Sequence, residues 1–389
     1  MSEHDLAVTR PRPGVRAWPL YVGGFLGPYA STMVTPMVPE VADGLATTPE
    51  LAAAAVTAYM LPFAAVMLVS GTLAERWGRA RTMQVSLVAF VVACGLCVLA
   101  PGIGWFLAAR ALQGVTNAFT TPLLVAAITD LVPRAGLGRA LGLFAGMQAA
   151  GQAASPLVSG PSAALDWRLA FVFPALVALV LAALPPTMTA GPPRTGPPPV
   201  RALLNRNLAV ACGLSFLCYL AAVGLTVLAI LRAADDFGLG PWERGLLASS
   251  FGVAGLLAAP LLGRRLDRLG PRRTGVGMNL LLAAGLVVAA VGPTVLLLGI
   301  GIAAVGVAVT GLRTTVNAIA ATSTEGNRAG AASLALSFQF FGGALAPLLW
   351  VPLYSGAGAA GFAATAVAPA LALLLLFALG PRRGTARPL

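Results

Sequence analysis

Hydrophobic residues in this chain come in long unbroken runs, set apart by short polar punctuation rich in arginine, glycine and proline. Twelve such runs fall near residues 17–39, 51–71, 81–100, 103–130, 137–160, 168–186, 207–231, 243–263, 274–292, 295–320, 328–352 and 358–380. At 1.5 Å rise per residue, a helix of about twenty residues crosses a ~30 Å hydrocarbon core. The runs show no two-residue alternation, and backbone groups in lipid must be satisfied within the segment. The pattern therefore predicts helices rather than a barrel: an all-α membrane protein with twelve transmembrane helices.

Composition agrees. Of 389 residues, 58% are hydrophobic and only 10% charged, whereas a soluble domain carries about a quarter charged residues. The formal charge of +12 suggests nucleic acid until its distribution is read. Every basic residue is arginine, and the arginines crowd into alternate loops: Arg76, Arg79 and Arg81; Arg134 and Arg139; Arg194, Arg201 and Arg206; Arg264, Arg265, Arg268, Arg272 and Arg273. The intervening loops hold Glu40, Asp43 and Glu50, or Asp235 and Asp236. This is the positive-inside asymmetry, and it predicts a multi-pass protein of the cell membrane with both termini cytoplasmic and basic loops against anionic lipid. A nucleic-acid partner is not expected.

Cys94 and Cys97 have CxxC spacing but lie inside an apolar run, as do Cys212 and Cys218, so small buried apolar residues are the expected reading. His4 stands alone in a polar tail, so no metal site is expected. Residues 1–16 lack the apolar core of a signal peptide, and the first span is expected to be retained. Residues 185–199 are too proline-rich to span. The expected organisation is a tail over 1–16, a six-helix bundle over 17–186, a cytoplasmic linker over 187–206, a second bundle over 207–380 and a tail over 381–389.

A repeat underlies the two halves. Gly71-Thr-Leu-Ala-Glu-Arg-Trp-Gly-Arg-Ala-Arg81 returns, blurred, 192 residues later as Gly263-Arg-Arg-Leu-Asp-Arg-Leu-Gly-Pro-Arg-Arg273. Gly151 aligns with Gly342 and Pro156 with Pro347. The eleven-residue pattern resembles the signature loop between the second and third helices of the major facilitator superfamily of secondary transporters. The resemblance implies two pseudo-symmetric six-helix bundles that rock around a central solute site. It also implies a cytoplasmic gate motif made by Gly71, Glu75, Arg76, Gly78, Arg79 and Arg81, with Asp267 and Arg268 in the second copy. The acidic residue would hold the cytoplasmic side closed through a neighbouring helix N-terminus and arginines. Glu75 stands where the family usually has Asp. Gly71 and Gly78 are expected to give tight helix ends and close packing.

The fourth run carries Arg110-Ala-Leu-Gln113-Gly114-Val-Thr-Asn117-Ala118, which resembles the family's R-x-x-Q-G-x-G-x-A pattern with Thr116 in place of a glycine. Arg110, Gln113 and Asn117 share a helix face. A charge inside a span costs at least ~2.5–3.5 kcal/mol on insertion scales, so they are expected to face the cavity, the alternative being that Arg110 snorkels outward. In the fifth run, Gly142, Gly151, Ser155, Pro156 and Gly160 resemble the motif of the twelve-span drug:proton antiporter branch, with two glycines replaced by serine. A closely packed helix kinked at Pro156 is the implied structure.

No acidic residue falls in the middle of any run. Transporters that expel cations commonly place a carboxylate in the membrane, so the expected solute is neutral or anionic and amphipathic, with Arg110 and Arg313 the deep charges. If protons are coupled, Glu40 or Asp43 is the best-placed titrating group. The family fold implies cavity walls from the first, fourth, seventh and tenth spans, with Tyr29, Met33, Asn117, Phe216, Tyr219 and Asn317 as candidates. Gln148, Gln152 and Gln339 would line the cavity or bond between helices. The expected function is export of a small drug-like or natural product by alternating access in exchange for protons; uptake symport on the same fold stays open. The partners would be that solute, protons and the bilayer, and the chain is expected to act as a monomer. No cofactor is expected beyond the proton gradient as energy source. An enzyme would need paired acidic motifs or a catalytic histidine, and ATP would need a phosphate-binding loop.

Overall fold

The computed structural model describes residues 18–185, 205–323 and 328–377; the two tails and nearly all of the linker lie outside them. Every regular element among the described residues is helical. In chain order these are α1 (Trp18–Thr32), α2 (Val38–Gly44), α3 (Pro49–Trp77), α4 (Arg79–Val98), α5 (Ile103–Asn117), α6 (Thr120–Leu131), α7 (Arg134–Leu165), α8 (Val172–Ala183), α9 (Arg206–Asp235), α10 (Pro241–Val291), α11 (Val295–Ser323), α12 (Arg328–Ala357), α13 (Ala359–Ala363) and α14 (Val367–Phe377). Eight helical stretches among the described residues are long and apolar enough to cross a membrane. Pro241–Val291 covers two of the twelve expected runs, and the stretches of α1 with α2, of α7 and of α8 are not among the eight.

Breaks occur where the local chemistry demands them. Gly78 at φ +89° separates α3 from α4, and Gly270 at φ +74° breaks α10 into two rods. These glycines occupy the same place in the two copies of the basic loop, and a left-handed residue there is tolerated because glycine has no Cβ. The fourth run is split between Asn117 and Thr120 rather than continuous. Pro122 lacks the N–H that would reach the Ala118 carbonyl, and its ring crowds that oxygen. The first run likewise passes through a 3-10 turn at Thr35–Met37 around Pro36. Thr48 and Asn205 cap α3 and α9, their side chains accepting from Leu51 N at 3.4 Å and Leu208 N at 2.8 Å.

Helices α1 to α8 pack as one bundle and α9 to α14 as a second, joined along α3 with α12 and α7 with α10. Glycine contacts reveal the pseudo-symmetry. A Cβ on Gly114 of α5 would strike the Tyr59 carbonyl of α3, and one on Gly306 of α11 would strike the Phe251 carbonyl of α10. Gly151 of α7 meets the Phe25 backbone in the same way that Gly342 of α12 meets the Phe216 backbone. Each partner lies about 191 or 192 residues from its counterpart, so the repeat read from the loops extends to backbone packing.

Candidate functional site

The Gly114 contact brings α5 hard against α3, and that approach decides where Arg110 goes. Its side chain is wholly buried. Nη1 donates to Gln113 Oε1 at 2.6 Å, Nη2 to the Ala30 carbonyl at 3.0 Å and Nε to the Ala55 carbonyl at 3.4 Å. The guanidinium lies 4.6 Å from the Tyr59 ring centre and 5.9 Å from that of Phe171. Gln113 donates onward to Cys94 Sγ at 3.0 Å, and Asn117 Nδ2 donates to the Tyr59 hydroxyl at 2.6 Å. This set braces α1, α3, α4 and α5 together. Dipoles and aromatic faces, not a carboxylate, hold the charge.

Two expectations are therefore corrected. Arg110, Gln113 and Asn117 share one face, but that face is closed inside the first bundle and does not open on a cavity; nor does Arg110 snorkel. Tyr29 is also enclosed, its ring 5.3 Å from Phe173 of α8 and 5.4 Å from Phe25. Its hydroxyl is buried without a hydrogen-bond partner. Met33 is fully buried. Of the other cavity candidates, Gln148, Gln152 and Phe216 are half-buried, Tyr219 and Gln339 buried, and Asn317 exposed.

The fifth-run motif divides by position. Gly142 is exposed and a Cβ there would meet nothing. Gly151 seats α7 on α1, and Ser155 Oγ donates to the Tyr29 carbonyl at 2.9 Å. Ser159 Oγ returns to the Ser155 carbonyl at 2.8 Å. Pro156 lies inside a helix that stays continuous from Arg134 to Leu165. Gly160 faces the other bundle: its Cβ would lie 2.7 Å from the Pro241 carbonyl oxygen, and one on Gly245 would lie 2.6 Å from that of Pro156.

Contacts between the bundles begin at the end opposite the basic loops. There Arg244 of α10 donates to Glu40 of α2, and Ser355 of α12 to Glu50 of α3. Deeper, Thr57 Oγ1 donates to the Ala344 carbonyl, Met60 touches Gly343, and Phe63 sits 4.5 Å from Phe340. Phe63 stands midway along α3. Glu40 Oε2 and Arg244 Nε are buried with no hydrogen-bond partner, so the pair is enclosed yet incompletely satisfied. Asp43 is exposed.

Sequence reasoning singled out Glu40 and missed Arg244, because nothing in spacing brings residues 204 apart together. It also passed over Arg232, which donates to the carbonyls of Ala289, Ala290 and Gly292 at 2.6, 2.8 and 3.0 Å and pairs with Asp236 at 2.9 Å. Those carbonyls end α10, so the place of Arg232 in the last turn of α9 signalled only its i,i+4 pair with Asp236. Arg168 pairs with Asp166 at 3.8 Å. Three arginines at this end are thus neutralised locally, which keeps the charge asymmetry of the sequence intact.

At the basic end, Arg79 bridges Asp130 at 2.7 Å and Glu75 at 3.3 Å, tying α4 to α6 and α3. Arg76 and Arg81 of the same loop are exposed. Gly71 lies inside α3, and a Cβ there would meet nothing, so it serves neither a helix end nor close packing. Asp267 and Arg268 are exposed on α10. A surface groove of about 390 Å³ runs past Leu261, Arg264, Arg265, Arg268 and Leu269.

A family model described as Major Facilitator Superfamily matches residues 20–225 and 211–389. A chloramphenicol efflux pump of Mycobacterium tuberculosis is 32% identical over 218 residues, which is 54% of this chain and 52% of that protein. A puromycin resistance protein of Streptomyces alboniger is 36% identical over 127 residues, 32% of this chain and 25% of its own length. The chain thus spans about half, or less, of the curated relatives it matches. Among solved structures, a bacterial homolog of the human lysosomal transporter Spinster, inward-facing and unoccupied, superposes with a TM-score of 0.73 at 15% identity, covering 93% of this chain and 95% of that one. The nucleoside transporter NupG gives 0.75 at 13% identity, with 93% and 98% covered.

Proposed function

The chain belongs to the Major Facilitator Superfamily, and from that premise we propose that it exports small amphipathic compounds, neutral or anionic, in exchange for protons. Its fold is that of a multi-pass membrane transporter and not of an enzyme. One observation carries the mechanism: among the described residues, the named contacts between bundles run from the end opposite the basic loops only to mid-depth. Bundle contacts gathered toward one end are what one half of an alternating-access cycle would present. The arginine asymmetry favours a cytoplasmic position for the end opposite these contacts. An export direction takes its support from the efflux and resistance functions that the names of two relatives state.

Glu40 is the proton site in this reading. Ionised, it holds Arg244 across the bundle interface; protonated, it loses its charge and the closed side is released. Asp43 on the same helix, Glu243 beside Arg244, and Asp235, which feels Arg244 from α9, complete the charged surroundings. Re-pairing with Arg244 requires that Glu40 first give up its proton, toward the cytoplasm in an exchange that drives export.

Flux in proteoliposomes tests both parts. With a pH gradient imposed, chloramphenicol or an anionic analogue should accumulate in one gradient direction and deplete when the gradient is reversed. Glu40→Gln should lower gradient-driven flux by about tenfold or more while solute counterflow persists. Full gradient dependence in a Glu40→Gln, Asp43→Asn double variant would remove these carboxylates from the coupling. Indifference of every solute to the gradient would sink the antiport reading.

A further inference from the structure

The transport cycle gives no task to the groove at the basic end. Its lining residues, Leu261, Arg264, Arg265, Arg268 and Leu269, stand at i, i+3, i+4, i+7 and i+8, so they share one face of the first rod of α10. All five are exposed. The same rod meets α7 through Gly245 and Gly252, and α11 through Gly255 and Leu262. At about 100° per residue, Leu261 and the three arginines fall on the side of the rod away from both neighbours. Val253, Leu257 and Leu261 lead to Arg265 in four-residue steps, an apolar ridge about 12 Å long. Leu257 and Leu261 keep 74% and 65% of their exposure. An outward face of this length, apolar and then cationic, has the polarity profile of a lipid.

Three guanidiniums on one face repel one another unless an anion joins them. Among the described residues none of the three pairs with a carboxylate, and Asp267 between them points to another side of the rod. Arg265 Nη2 lies 3.6 Å from where a Cβ on Gly277 would stand, so the second rod backs the groove. The first copy of the loop does not repeat the cluster. Counted back by 192 residues, Arg264 and Arg265 become Thr72 and Leu73, and only Arg268 keeps a counterpart, Arg76. The first copy's Arg79 is spent on Asp130 and Glu75. Membrane orientation asks for arginines on the cytoplasmic side, not for three on one face. Topology therefore leaves the cluster unexplained.

We propose that this groove binds one anionic phospholipid, its phosphate held among Arg264, Arg265 and Arg268 and an acyl chain laid along Leu261, Leu257 and Val253. Guanidinium forks match phosphate oxygens in pairs, and basic pockets on the cytoplasmic side of membrane helices take anionic headgroups. A free anion would meet the charge and leave the ridge uncovered. A lipid without net charge would cover the ridge and leave the guanidiniums unneutralised. Only an anionic lipid satisfies both. The site rests on the membrane fold alone, so the solute, its direction and its protons do not enter.

The test is native mass spectrometry of the full chain, stripped of lipid in detergent and then titrated. The probes are dioleoylphosphatidylglycerol and dioleoylphosphatidylcholine, which share their chains and differ in net charge. The first phosphatidylglycerol should bind at least about tenfold more tightly than phosphatidylcholine. The triple variant Arg264→Gln, Arg265→Gln, Arg268→Gln should bring the two lipids within about twofold of each other. Arg81→Gln, Arg206→Gln, Arg273→Gln removes the same charge from exposed arginines outside the groove and should keep the preference. Phosphatidylcholine binding serves as the check that each variant is folded. Glycerol 3-phosphate in large excess should not displace the bound lipid, since it has no chain for the ridge. A preference that survives the groove variant, or one lost equally in both triple variants, would overturn the proposal, the second by showing that net charge alone recruits the lipid. Displacement by glycerol 3-phosphate would overturn it too, by assigning the groove to a free anion.

Discussion

The two bundles share a skeleton but not an interior. Gly114 on Tyr59 and Gly306 on Phe251 set the same helix pair at the same approach in both. Carried across by that correspondence, Arg110, Gln113, Asn117 and Cys94 of the first bundle become Ile302, Val305, Val309 and Leu286 of the second, all buried. Small residues fix where rods may touch, and whatever fills the space behind them is free to diverge. In the first bundle that space holds a fixed polar brace. In the second it holds hydrocarbon, and the arginine of the matching helix is Arg313, half-buried.

Putting the brace's charge into the hydrocarbon interior should give the largest effect. Ile302→Arg has no ready-made carbonyls or rings to receive it, so it should destabilise by several kcal/mol, on the order of 3–5. The reciprocal Arg110→Met should change stability by no more than about 1.5 kcal/mol, because relief of a desolvated charge offsets the lost hydrogen bonds. Thermal unfolding of the two variants in one detergent decides it. Tolerance of Ile302→Arg would mean that the second interior is wetter than its residues imply.

The skeleton itself was largely legible from the sequence, because apolar runs of membrane length and a repeated glycine-bracketed loop constrain helices strongly. Gly78 and Gly270 recur at one place in the repeat and both adopt positive φ. The interior was only half legible. Spacing put Arg110, Gln113 and Asn117 on one helix face, but periodicity does not say what the face meets; the close approach allowed by Gly114 decided that. Arg244 was invisible because its partner Glu40 lies on another helix of the other bundle. Gly71 and Gly142 misled for the opposite reason: a motif position was taken for a contact, and a Cβ at either would meet open space.

A middle-sized effect should test the shared part of the comparison. Gly114→Val and Gly306→Val each push a branched side chain into backbone rather than a yielding side chain, so each should cost about 1–3 kcal/mol. The two losses should agree within about 1 kcal/mol if the packing is truly repeated. Gly71→Val and Gly142→Val, with open space around them, serve as controls and should be far milder. A pronounced loss in one glycine and none in its counterpart would show that the pseudo-symmetry stops at the loops.

The smallest effect separates the enclosed brace from charges at the basic end. Arg79 meets Asp130 at 2.7 Å, but the two side chains keep 16% and 26% of their exposure, so water screens the attraction. Asp130→Asn should therefore cost only about 0.2–1 kcal/mol. That cost should shrink as salt rises, since the Debye length falls from about 10 Å at 0.1 M to about 3 Å at 1 M. Melting curves of native and Asp130→Asn protein at those two salt concentrations should converge. Native and Arg110→Met protein should instead keep a constant separation, because ions do not reach a guanidinium with no exposed surface. Were the Asp130 effect to exceed about 2 kcal/mol and ignore salt, the basic end would have to be as enclosed as the brace, and the distinction between the two charged regions would fail.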